Sequence, residues 1–569
     1  MQPRPCLALS LVLPVLFSTA HAQSVPDAGV LQRETERALR HPRPALSPSA
    51  APLARPMEND AKAARISVQQ IHIDGASLIP VEELQSLLAD LPGQSLTLAQ
   101  LENAAQRIAA HYRERGWFVR VYLPQQDVTH GAVRIQIVEG RYGGVRRDDA
   151  GGRADGAWVE RVVTGRLVEG EPLSAADLER GLLLANDLAG IRATGVLEPG
   201  EETGTTRLRL HVEDTAFATG DLGLANGGIK STGRIQLVGG LAVHNPSGRG
   251  DRLALRALAA ERLGSLWLGW QMPLAADGWR LGLHASHLRY KLGDRFKALD
   301  AEGRASTAGG ELRWAWLRST DRNLALSVRY DHRRYVDDML GETSRRHRVS
   351  AVTLGLQGER SDTLGGGGIT WGGLQWVGGR LSIDNVAGSR AADRAGPRAA
   401  GSYARLAVHA GRLQSLGRDW RLLATLAGQW AGHNLGASEK FALGGPEGVR
   451  AWPVNEGSGD HGALLRVEAQ RPLGQGWQAQ VFYDAGWIRQ HHNPWAGWQG
   501  GTRQPNHYTL AGAGFGLSYA SPGSTDGWRL AVTVAAPIGG NPGKGADGSN
   551  NDGSNPRAAR FWLSLNRVL

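Results

Sequence analysis

The chain has 569 residues, more than one ordinary core accommodates, so several domains are expected. Its 77 glycines, 6% aromatics and mean hydropathy of −0.30 suit turns and pleated strands. No apolar run outside the N-terminus approaches ~20 residues, which excludes a helical membrane protein. The formal charge of +10 comes from arginines spread singly rather than in basic blocks. That pattern argues against nucleic acid as a partner and suits a wet lumen and lipid phosphates.

Residues 1–22 read as a signal peptide. Arg4 supplies the charged region, Leu7 to Phe17 the apolar core, and Ala20-His21-Ala22 the cleavage site. The one cysteine, Cys6, lies inside it, so the mature chain offers no thiol for a disulfide, a nucleophile or a metal. Residues 23–41 carry a short helix, Asp27 to Arg40, capped by Asp27. Its faces are charged, and Val30, Leu31 and Leu39 are its only apolar anchors. Residues 42–65 form a Pro-rich linker of extended character.

Residues 66–140 form a small α+β unit. Ile66, Val68, Ile71 and Ile73 alternate as in a half-buried strand. Pro80 to Leu91 and Leu98 to Arg115 have helical period, the second with Leu98, Leu101, Ala105, Ile108 and Tyr112 on one stripe. Arg115 to Pro124 and Ala132 to Gly140 return to strand. Residues 141–213 repeat the plan, with a helix capped by Ser174 and reaching Leu188, then a closing strand from Thr205 to Glu213.

From 214 to 569 the helices stop and amphipathic alternation takes over. Four tight turns lead into a tryptophan, at Asp277-Gly278-Trp279, Arg418-Asp419-Trp420, Gln475-Gly476-Trp477 and Asp526-Gly527-Trp528. Each opens a strand with Leu and Val on one face and polar residues on the other. Tryptophans at one place relative to short turns form a girdle at one membrane interface. The remaining ~350 residues, at ~10 per span plus turns and loops, give roughly sixteen strands. The last runs from Arg560 to Leu569 with Phe561, Leu563, Leu565 and Leu569 outward.

Gly539 to Asn555 reads as a flexible outer loop. Its Asp547, Ser549, Asn551 and Asp552 lack the glycine spacing and terminal glutamate of a calcium loop. His491-His492 reads as surface, and Gly512-Ala513-Gly514-Phe515-Gly516 as a smooth inner strand face. There is no G-x-S-x-G and no H-E-x-x-H, so neither an enzyme nor a cofactor site is expected.

The segment Phe441 to Pro453, F-A-L-G-G-P-E-G-V-R-A-W-P, is too rich in Gly and Pro to be a strand and lies in a connection of roughly thirty residues. Downstream, alternation from Trp477 places Trp477, Ala479, Val481, Tyr483 and Trp487 toward lipid. Gln478, Gln480, Phe482, Asp484 and Gly486 then face the lumen.

The succession of parts resembles the outer-membrane transporters of two-partner secretion, the haemolysin-activator/filamentous-haemagglutinin-transporter group. Y-R-E-R-G-W-F (Tyr112 to Phe118), the run Leu123 to Gly140, and H-N-P-S-G-R-G-D (His244 to Asp251) carry the resemblance. So do a loop tip of V-R-G-[YF] type, here Val449-Arg450-Ala451-Trp452, and an F-x-D-x-G strand, here Phe482-Tyr483-Asp484-Ala485-Gly486. Only Ala451 and Trp452 depart from the tip pattern; loss of a Gly at 451 bears on the backbone angle there.

The resemblance implies a transmembrane β-barrel of about sixteen antiparallel strands in the outer membrane, preceded by two α+β POTRA-like domains in the periplasm. It implies export of a large secreted partner, an adhesin or haemolysin, bound unfolded by the POTRA units. It implies a monomer among outer-membrane lipid and lipopolysaccharide, and a lumen plugged at rest by the 23–41 helix. The tip residues Val449, Arg450 and Trp452 would be held against Phe482, Asp484 and Gly486 on the wall. A barrel-assembly insertase of the same superfamily shares these motifs and is the alternative. A lipid hydrolase lacks a nucleophile motif, and a passive porin needs no periplasmic units.

Overall fold

The computed structural model describes residues 25–39 and 65–569, apart from 129, 130, 150, 418, 501 and 523–525. The expected signal peptide, the end of the first helix and all but the last residue of the Pro-rich linker lie outside the described residues.

The alternation of the C-terminal part closes on itself. Sixteen antiparallel strands form a barrel running from Ala218–Ala225 to Arg560–Val568, and the last pairs with the first from Ser564↔Ala225 to Val568↔Asp221. Closure satisfies every strand edge, a requirement where no water is available to the backbone. Along the strand Arg322–Met339, Leu326, Val328 and Tyr330 are exposed outward while Asp331, Tyr335 and Asp337 are buried inward. The final strand presents Phe561, Leu565 and Leu569 outward.

Trp420, Trp477 and Trp528 are exposed at the starts of their strands. Trp279 is half-buried because the pairing register sets it opposite Trp314, whose ring stacks on it at 5.3 Å.

In the first α+β unit, the run Ile66 to Ile73 is two strands rather than one. Arg65–Ser67 pairs with Ser95–Thr97, and Gln70–Asp74 pairs in parallel with Ala132–Glu139. The chain jogs between them because Gly131 O accepts from both Gln69 N and Gln70 N, while Val68 N donates to Gln94 O. The helix from Pro80 is shorter than its period implies, Val81–Ser86. Pro92 restricts the residue before it and Gly93 turns with φ +86°, so Leu88 and Leu91 reach the core through tight turns. The next helix, Leu98–Glu114, opens on a Thr97/Gln100 capping box. Leu98, at its first position, is 55% exposed and does not join the stripe of Leu101, Ala105, Ile108 and Tyr112.

The second unit contains the helix Ala175–Asn186 with the Ser174 cap, and a helix, Gly156–Thr164, that the sequence reading missed. Its Asp155 cap and the spacing of Trp158, Val159, Val162 and Val163 were available signals. This unit seats on the barrel's short turns. Trp158 Nε1 donates to Arg249 O at 3.0 Å, Arg180 Nη2 donates to Asp277 O and Ala315 O at 2.8 Å each, and Arg318 pairs with Asp187 at 2.9 Å. The motif His244 to Asp251 supplies one of these turns.

The N-terminal helix, Ala28–Ala38, lies inside the barrel. Asp27 caps it by accepting from Val30 N. Ala28 N donates to Asp337 Oδ1 at 2.8 Å, Gln32 Nε2 to Ser286 Oγ at 3.0 Å, and Arg33 Nη1 to Ala437 O at 2.7 Å. Leu31 and Leu39 are buried as expected anchors, whereas Val30 is only half-buried.

Candidate functional site

The connection between the strands Arg421–Ala431 and His461–Gly474 folds back into the lumen. Phe441–Ala442 pairs with Ser458–Gly459, and beyond that short ladder the chain turns tightly. Val449 N donates to Leu443 O at 2.7 Å and Gly445 N to Trp452 O at 3.0 Å. Gly448 permits this turn, because a Cβ there would lie 1.7 Å from Leu443 O.

The turn delivers Arg450 to the wall. Its Nε donates to Asp484 Oδ2 at 2.7 Å and its Nη2 to Asp484 Oδ1 at 2.6 Å, a bidentate pair. Its backbone N–H adds a third bond to the same carboxylate at 3.1 Å. Its Nη1 donates to Glu468 Oε1 at 2.8 Å, and the guanidinium lies 3.4 Å from the centre of the Phe482 ring. Asp484 is 0%, Arg450 3% and Glu468 6% exposed, so these charges are removed from water together. Arg466, 3.4 Å from Glu468, balances the second carboxylate.

The apolar tip residues complete the fit. Val449 and Trp452 are fully buried, and Trp452 Nε1 donates to Ala511 O at 3.0 Å. A Cβ on Gly486 would come within 2.5 Å of Leu443 Cδ2, so only a bare backbone admits the loop at that height. Ala451 has no positive φ, and its methyl faces Gly512, where an added Cβ would lie 2.3 Å from it. The Gly-rich strand His507–Ala520 is smooth inside for that reason.

All six residues expected at the site, Val449, Arg450, Trp452, Phe482, Asp484 and Gly486, therefore meet in one place. Sequence reasoning missed Glu468, Arg466, Gly512 and Trp562, whose Nε1 donates to Arg450 O at 2.7 Å. Alternation alone marks Arg466 and Glu468 as inward, since Leu465, one residue before Arg466, is exposed to the outside.

The outer loop differs from expectation. Gly539 to Asn555 is not a free flexible loop but is fastened to the lumenal one. Glu456, 2% exposed, accepts from Asn541 Nδ2 at 2.6 Å and from Asn551 N at 2.8 Å. Asp552 pairs with Arg560 at 3.1 Å. His491 and His492 are not bare surface either: His491 packs edge-on to Trp495 and Trp498, and His492 stacks on His461.

Burial pushes the Glu456 carboxyl up to about 7, outweighing its two hydrogen bonds. The fastened loop thus favours the protonated acid. It is most stable below the ordinary value of 4.5 and loses stability as pH rises from there to about 7. Amide exchange in residues 539–555, corrected for its intrinsic pH dependence, is expected to speed up across that window. Glu456→Gln should remove the change; a variant that keeps it assigns the effect to another group.

A family model described as haemolysin secretion/activation protein ShlB/FhaC/HecB matches residues 204–519, more than half of the chain. The chain belongs to this family. A ShlB-type POTRA domain matches residues 66–140. The barrel is thus that of an outer-membrane transporter, with POTRA units on its periplasmic side. The heme/hemopexin transporter protein HuxB of Haemophilus influenzae (strain 86-028NP) is 27% identical, with 99% of each chain covered. Among solved structures, CdiB from Escherichia coli superposes with a TM-score of 0.66 at 22% identity, covering 91% of this chain and 94% of that one. BamA from Haemophilus ducreyi lacking POTRA domains 1–3 gives 0.53 at 15% identity, covering 89% and 100%. At such identities the two structures speak for the fold alone.

Proposed function

We propose that this chain is the outer-membrane translocator of a two-partner secretion system, exporting one large exoprotein of adhesin or haemolysin type. The POTRA units bind the unfolded partner as an added strand at a sheet edge, and the barrel conducts it in extended form. Folding outside biases movement outward. The observation that carries this reading is a sixteen-stranded lumen occupied by the chain's own helix and loop, both held by polar contacts to the wall. Strand number of this order leaves room for an aqueous path once they move. The chain acts as a monomer whose apolar belt contacts outer-membrane lipid and lipopolysaccharide, and it carries no catalytic role.

Within this reading Val449, Arg450 and Trp452 fasten the loop against Phe482, Asp484 and Gly486 in the transport-competent position, and the Ala28–Ala38 helix closes the resting lumen. Deleting residues 23–41 is expected to raise the ion conductance of the inserted barrel severalfold in planar bilayers. Unchanged conductance removes the plug role. The overall function is tested by deleting the gene and following both the exoprotein encoded beside it and the general outer-membrane protein profile. Retention of that exoprotein with an intact profile is expected; a general loss of barrels would establish the insertase reading instead.

A further inference from the structure

The outward face of the strands Trp279–Lys291, Glu302–Arg318, Arg322–Met339, Glu342–Asp362 and Gly368–Ile383 changes character along its length. Toward the POTRA side it is apolar, with Leu283, Leu312, Leu326, Val328 and Tyr330 exposed. Beyond Tyr330 it becomes cationic. At that height the inward alternates Leu288, Tyr335 and Val349 are buried in the lumenal cluster. Arg289, Arg304, Arg334, Arg346, Arg348 and Arg380 therefore point away from the lumen, and all six are exposed.

The pairing register sets like charges against each other. Arg289 is directly opposite Arg304, and Arg334 directly opposite Arg348, an arrangement that weakens a sheet unless an anion joins the pair. The local pattern also repeats. His287 Nε2 accepts from Arg289 Nε at 3.1 Å, and its other ring nitrogen meets Ser306 Oγ at 2.9 Å. His332 does the same with Arg334 at 3.3 Å and Ser350 at 2.9 Å. Both imidazoles orient an arginine while adding no carboxylate.

Acidic residues of this face lie at its upper rim. Asp384 pairs with Arg348 at 2.8 Å, Glu302 lies 3.8 Å from Lys291, and Asp338 is opposite Glu302. Among the described residues no carboxylate forms an ion pair with Arg289, Arg304, Arg334, Arg346 or Arg380. Leu324 to Arg334 spans ten residues of strand. At ~3.4 Å each and a tilt of ~40° the climb is roughly 26 Å, just past an apolar band ~25 Å tall. The arginines thus stand at the level of the outer headgroups.

We propose that this surface binds the phosphate-bearing glycolipid of the outer leaflet. The acyl chains lie on the Leu, Val and Tyr belt, one phosphate bridges the Arg289/Arg304 pair, and a second joins Arg334 beside the Arg348–Asp384 pair. A phosphate between opposed guanidiniums replaces repulsion with charge-assisted hydrogen bonds. The inference rests on the barrel's place in the outer membrane and not on what it exports.

The test uses the full-length protein purified in detergent, titrated with diphosphorylated lipid A, dephosphorylated lipid A and inorganic phosphate, with binding read by native mass spectrometry and thermal stability. The wild type is expected to prefer the diphosphorylated lipid. Each arginine at the headgroup level contributes about fivefold, so R289Q/R304Q/R334Q/R348Q should weaken that binding roughly 600-fold. Equal binding of the two lipids by the wild type overturns the proposal, whether or not the variant assembles. So does a variant that binds like the wild type, or inorganic phosphate that stabilises as much as the lipid. Loss of secretion with the lipid preference intact bears on the transport reading alone.

Discussion

Arg450→Ala is expected to cut secretion of the partner exoprotein on the order of a hundredfold while the barrel still inserts. The guanidinium is the shared partner of two buried carboxylates, Asp484 and Glu468. Its removal leaves Arg466 alone to compensate both, at 3.7 Å and 3.4 Å. Breaking one side of a buried ion pair costs about 3–5 kcal/mol, which corresponds to a shift of roughly 10²–10³ or more in the docked population. Tip release also uncovers Trp452 and the Arg450 carbonyl that Trp562 binds. Arg450→Lys should recover little, because one ammonium cannot reproduce a bidentate contact plus a third bond to Glu468. Exoprotein in the medium, measured against heat-modifiable barrel in the membrane, separates transport from assembly. Normal secretion by Arg450→Ala would remove the mechanism.

Steric displacement should act without touching a charge. A methyl at Gly512 would sit 2.3 Å from the Ala451 methyl, so Gly512→Ala pushes the tip off the wall although Arg450, Asp484 and Glu468 are all present. Overpacking of this kind costs about 1–3 kcal/mol, and secretion should fall by roughly tenfold. Combining it with Ala451→Gly moves the methyl across the interface and should restore most of the loss. The departure of this tip from V-R-G-[YF] at Ala451 thus has a structural counterpart: the wall supplies the space that the tip does not. A double variant as poor as Gly512→Ala alone would show that the contact is not the cause.

The barrel was legible because its determinants are local and repeated. Alternation fixes which side of the wall a residue faces, and that sufficed to aim Phe482, Asp484 and Gly486 inward before any partner was known. Alternation also aimed Glu468 and Arg466 inward, but only the pairing register Arg466↔Asp484 and Glu468↔Phe482 brings them beside Arg450. These two strands share the tight turn at Gln475-Gly476, so their register is local, but the height at which the tip of the long preceding loop docks on them is not. Conformation of the 539–555 loop was hidden for a related reason. Its Gly, Asn and Ser content describes a free polar loop equally well, and the buried carboxylate that orders it, Glu456, lies 85 and 95 residues before its partners Asn541 and Asn551. The run Ile66 to Ile73 misled because alternation cannot reveal a jog that depends on the carbonyl of Gly131.

The central claim, that the loop tip must be seated on the wall for transport, is open to one direct test. Val449 Cγ2 lies 3.3 Å from where a Gly486 Cβ would be, so Val449→Cys with Gly486→Cys can join tip to wall once Leu443→Ala removes the Cδ2 that such a Cβ would strike, in a chain whose sole cysteine is Cys6. Built into Arg450→Ala, the pair should restore secretion under oxidising conditions and lose it on reduction. Secretion that stays low with the disulfide formed would contradict the account.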